Sequence, residues 1–122
     1  MGGKQEKDER SKERALHLVQ TCTVPVLMGA LCGRLALDSR EADARDLALL
    51  ATQVGMAPEE GGDIDVDAAT LIAHHESATA LAVALIMRLQ GDGRPVDAQR
   101  MAMLFEMTDV GDADYAALVP SA

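Results

Sequence analysis

Residues Asp65 to Gln90 read DVDAATLIAHHESATALAVALIMRLQ. This is the longest apolar-rich run without Pro or Gly, and its pattern predicts a central helix over residues 65–90. At about 100° per residue, Leu71, His75, Ala78, Ala82, Leu85, Ile86 and Leu89 fall on one broad face. The opposite side carries Ala73, Ser77, Ala80 and Ala84, with Glu76 and Arg88 beside them. A helix apolar around most of its circumference belongs at the centre of its domain. The small-residue stripe lets a second helix come close, either within the chain or across a self-association seam between two copies.

Working outward, the fold expected is all-α: a compact bundle of four to five helices around that axis. Upstream, Ala15, Leu18, Val19, Cys22 and Val26 form one apolar stripe that Pro25 interrupts. Proline inside a helix costs about 3 kcal/mol, so the N-terminal helix should break or kink near Thr23–Val24 and resume to about Leu37. Gly29 and Gly33 in that segment permit close helix approach. Asp38 and Glu41 have the spacing of a capping box for a helix running to about Val54. Leu47, Leu50, Ala51 and Val54 form its apolar face, and Glu41 can pair with Arg45.

Residues 55–64 read as an acidic loop, and residues 1–4 and 119–122 as disordered ends of a single domain. Gly91-Asp92-Gly93 is a turn signal. Pro95 then opens a helix to Thr108, with Ala98, Met101, Ala102 and Phe105 on one face and Val96, Met103 and Met107 on the other. Asp112 can cap a last turn. No internal repeat is visible.

Composition narrows the function. Of 122 residues, 48% are hydrophobic but only 2% aromatic, so Ala, Leu and Met fill the core. Such cores bury less area per residue, which favours a partner or a second copy. The net charge of −9 disfavours direct binding to nucleic-acid phosphates and suits a basic protein partner. His74, His75, Glu76 and Arg88 interrupt the longest apolar run, which argues against a membrane span of about 20 residues. The charged N-terminus lacks a signal-peptide core, and two unpaired cysteines suit a reducing compartment, giving a cytoplasmic expectation.

Candidate chemistry is sparse. His74, His75 and Glu76 are adjacent and point about 100° apart on a helix, so they cannot converge on one metal. Asp63, Asp65 and Asp67 alternate like the start of a calcium loop, but Ala68 and His74 stand where that loop needs Gly and Glu. Cys22, Cys32 and His17 can supply soft ligands only if the break at Pro25 folds their segments together. No phosphate loop, nucleophile motif or carboxylate pair stands out.

The expectation is a small acidic non-catalytic module, with no catalytic, cofactor or metal residues. It would act as an inhibitor, anti-activator or adaptor that occupies a basic partner and competes with nucleic acid for it. Partner or self-association candidates are Ala73, Ser77, Ala80, Ala84, His74, Met103 and Met107. One alternative is a helical bundle that binds a small ligand or metal through His75, His74, Cys22 and Cys32. Another is a structural homo-oligomer, such as a homodimer, built on the alanine stripe.

Overall fold

The computed structural model describes residues 13–53, 66–108 and Val110. These residues are all helical apart from short connections. Helix α1 covers 13–21, α2 Val24–Leu37, α3 Glu41–Gln53, α4 Val66–His75, α5 Ala78–Gly91 and α6 Pro95–Thr108. Helix α2 packs against α3, α4 and α5, and α5 against α6. The acidic loop over 55–64, the chain ends, Val54, the calcium-like Asp63 and Asp65, and the turn at Asp112 lie outside the described residues.

The segment expected as one helix over 65–90 is two helices. Ser77 has extended backbone angles, φ −77° and ψ 157°, and its hydroxyl accepts the Ala80 amide at 3.1 Å. A serine that caps the following turn in this way starts a new helix. Thr23 does the same for α2, with φ −85° and ψ 165°, its hydroxyl facing the Val26 amide and Pro25 in the first turn. The break changes which faces are buried. Leu71 and His75, placed on the apolar face by a continuous helix, are exposed, whereas Ala73 is buried. Asp38 also differs from expectation: it closes α2 at its C-terminus and pairs with Arg34, and Arg40–Asp43 is the ion pair at the start of α3.

The two caps belong to a larger relation. Displaced by a constant 54 positions (Thr23 onto Ser77, Asp38 onto Asp92), the bounds of α1, α2 and α3 align in register with those of α4, α5 and α6. Both copies read Arg-Leu-x-x-Asp-x-Arg-x-x-Asp-Ala, from Arg34 to Ala44 and from Arg88 to Ala98. The Asp38 amide reaches the Arg34 carbonyl at 3.0 Å, and the Asp92 amide reaches that of Arg88 at 2.9 Å. Arg40 reaches Leu35 at 2.8 Å, and Arg94 reaches Leu89 at 2.9 Å. Ion pairs Arg34–Asp38 and Arg40–Asp43 repeat as Arg88–Asp92 and Arg94–Asp97. The described residues therefore form a tandem repeat of a three-helix unit, which corrects the expectation of no internal repeat.

The units meet about an approximate two-fold axis. Arg34 Nη1 donates to the Ala73 carbonyl at 3.4 Å, and Arg88 Nη1 donates to the Val19 carbonyl at 2.9 Å. Positions 34 and 88 are equivalent, as are 73 and 19, so the contact is reciprocal, as in an isologous dimer interface. Each arginine satisfies a last-turn carbonyl that has no partner within its own helix. Buried leucines follow the same relation: Leu27, Leu31 and Leu35 of α2 correspond to Leu81, Leu85 and Leu89 of α5. Spaced by four, each trio forms one helical column in the shared core.

One difference between the units supplies a test. Ser39 sits at φ 61°, where its counterpart Gly93 sits at φ 75°. A side chain in that region costs about 1–2 kcal/mol, partly offset because glycine is more disordered when unfolded. Ser39→Gly should raise stability by about 0.5–1 kcal/mol in thermal and urea melts. An unchanged or lower midpoint would show that Ser39 is not strained.

Candidate functional site

A concavity among the described residues lies between α1 and α4. Glu76 follows the last residue of α4 and turns inward, where it is only 7% exposed. Arg14, at the start of the described part of α1, clamps it. Nε lies 3.0 Å from Oε1 and 3.1 Å from Oε2, and Nη2 also donates to Oε2. This contact makes α1 and α4 antiparallel. The Arg14 side chain is 57% exposed, and the hydrogen bond to Glu76, followed by the carboxylate charge, holds its guanidinium more firmly protonated than usual.

Between the two helices opens a cleft of about 290 Å³. Leu18, Ile72 and Cys22 form its inner wall; His17, Thr21, Leu71 and His75 border its mouth. Neither imidazole makes a hydrogen bond among the described residues. Arg14 Nη1 likewise takes no bond among them.

The cleft gathers some of the residues singled out from the sequence and excludes others. His75 and Cys22 line it, with His17 beside them. His74 is exposed outside it. Cys32 is on α2, with Sγ donating to the Ala44 carbonyl at 3.8 Å. Among the described residues, no group of three or more His, Cys, Asp and Glu side chains is placed to hold a metal ion. Arg14 and Thr21 had not been singled out, and Glu76 only as one of three adjacent residues. The available signal was Ser77: an N-cap at that position ends α4 at His75 and leaves Glu76 in the turn, free to point inward.

Burial pushes the Cys32 thiol from 9.0 up to about 11. The folded chain therefore holds this proton more tightly than the unfolded chain. The stabilisation is fully present below pH 9 and is lost as pH rises towards 11. At pH 8 the thiolate fraction falls roughly a hundredfold below that of an unfolded cysteine. Iodoacetamide should accordingly label Cys32 roughly a hundredfold more slowly in native protein than in urea, measured by residue-resolved mass spectrometry. Equal rates would contradict this burial.

The alanine stripe is not a surface. Ala73, Ala80 and Ala84 are buried inside the chain, and Ser77 is the cap of α5. The three alanines, expected on an outward stripe of one continuous helix, pack within the chain instead, because the break at Ser77 separates the two segments. Ala80→Glu would test folding rather than association. Ala73 serves instead as the close neighbour of Gly33, where a Cβ would lie 3.3 Å from Ala73 Cβ.

The other two candidates, Met103 and Met107, lie on the outside. On α6, Ala98, Met101, Ala102 and Phe105 are buried, while Val96 is 61%, Met103 60% and Met107 80% exposed. Their spacing of seven and four residues puts the three on one helical stripe. Among the described residues, no helix is long and apolar enough to cross a membrane. No protein family model, curated protein or solved structure matches the chain.

Proposed function

We propose that the chain is a small acidic protein-binding module without catalytic activity, acting as an inhibitor, anti-activator or adaptor. The observation that carries this reading is the outward stripe of Val96, Met103 and Met107 on α6. Large apolar side chains aligned on one exposed face favour protein contact, and methionine adapts its shape to varied partner surfaces. With a net charge of −9, the favoured partner is basic, and a basic protein that normally holds nucleic acid would be contested by this surface.

The test uses paired baits in a lysate: the natural chain and Met103→Glu/Met107→Glu. Both positions are exposed, so the variant keeps the fold, which a matching melting curve would establish. The natural chain should retain a stoichiometric protein that elutes with rising salt, and the variant should retain at least roughly tenfold less. Equal retention by the two baits would count against the α6 stripe. Recovery of the lone chain at every salt concentration would count against the function.

A further inference from the structure

We infer that the cleft between α1 and α4 is a binding site for a small organic carboxylate with an aliphatic body. The inference is independent of the α6 stripe. It starts from the way the two units have diverged. At the caps, the bridging arginines and the helix ends, equivalent residues agree in chemistry: Thr23 and Ser77 cap, Arg34 and Arg88 bridge, Asp38 and Asp92 close a helix. In the cleft they do not. His17 corresponds to Leu71, Thr21 to His75, Cys22 to Glu76, and Arg14 to Ala68. Only Leu18 and Ile72 remain alike, on the inner wall.

This divergence gives the cleft two unlike ends. Arg14 and Glu76 mark one end, with His75 next to Glu76 in the chain. Cys22, just past the end of α1, marks the other. Eight residues of helical rise separate Arg14 from Cys22, about 12 Å. Leu18 and Ile72 lie along that path. An occupant of matching polarity has a charged head and an apolar tail.

The more exposed member of the charged end, Arg14, favours an anionic head. Glu76 occupies Nε and Nη2 of Arg14 and fixes the guanidinium, leaving Nη1 without a bond among the described residues. A fixed guanidinium is a pre-oriented donor for a carboxylate oxygen. The His75 imidazole can donate a second bond. A cationic head would meet Arg14 and leave Glu76, already paired, with nothing to gain. At about 290 Å³ the cleft lies just below the range of drug-sized sites, roughly 300–1,000 Å³, which limits the occupant to a small acid.

The experiment is an amide-resolved NMR titration of the full chain with octanoate, and with octanol and octylamine as neutral and cationic probes of the same length. Octanoate should give saturable shifts concentrated in α1 and α4. Octanol should bind roughly tenfold more weakly, the loss expected for one charge-assisted hydrogen bond. His75→Glu changes an exposed residue, and its fold is checked by melting. It should weaken octanoate by roughly tenfold and leave octanol unchanged. Absence of saturable shifts, equal binding of all three probes, or an octanoate affinity unchanged in His75→Glu would each overturn the assignment.

Discussion

Leu31→Ala and Leu85→Ala should each lower the unfolding free energy by about 2–5 kcal/mol. Both residues are fully buried, at equivalent positions of α2 and α5, in the middle of the two leucine columns. Truncation removes the transfer free energy of the lost carbons and leaves a cavity that helices on either side cannot fully close. Single domains hold only about 5–15 kcal/mol in total. The aromatic share here is 2%, so few bulky side chains are available to fill a void. The double variant should lose about 4–10 kcal/mol, a large share of that total, and melt at a much lower temperature than either single variant. Urea titration followed by circular dichroism measures all three chains. A loss below about 1 kcal/mol for either single variant would show that its leucine column is loosely packed.

The second large effect concerns the crossing of α2 and α4. Gly33 faces Ala73 so closely that a Cβ alone would sit 3.3 Å from the alanine Cβ. The equivalent positions, Met87 and Val19, are both large, so the two-fold relation is not kept in side-chain size here. Placing the second unit's residue in the first, Gly33→Met, should therefore cost about 1–3 kcal/mol through overpacking. Gly33→Ala is the informative comparison. It gains about 1 kcal/mol of helix propensity against the same tight contact, and should come out near neutral. Thermal melts of the two variants separate the effects. A Gly33→Met chain as stable as the natural one would show that the helices can move apart without loss.

These positions show what could be read from the chain and what could not. The all-helical class followed from hydrophobic periodicity. The buried face of α6, with Ala98, Met101, Ala102 and Phe105, was legible because one uninterrupted helix carries it. The division between α4 and α5 was not, because Ser77 lies in an alanine-rich run whose propensity is helical on both sides. Ser77 was the one local cue, and the contact of Glu76 with Arg14, which are 62 residues apart, fixes the turn. That single break explains why Leu71 and His75 were assigned inward and Ala73 outward. The tandem repeat is hard to see in the chain for a related reason. Its signature is carried by cap and turn residues such as Asp38, Arg40 and Asp43, spread among interchangeable alanines, leucines and methionines. Periodicity searches register the helices and pass over their ends. The cleft depended on the same break, since His75, Glu76 and Cys22 meet only when α4 stops where it does.

The reciprocal arginine bonds bear on how the chain reaches its native state. Arg34 and Ala73 are 39 residues apart, and Arg88 and Val19 are 69 apart. Neither three-helix unit can complete the end of its first helix until the other has formed and docked. A helical bundle with mainly local contacts collapses within microseconds to milliseconds, whereas distant pairings impose a loop-closure barrier. The exchange of arginines between units adds two such distant pairings to the folding of this chain. It also ties the two halves into a single cooperative transition, in which partial unfolding of one withdraws the terminal bonds of the other.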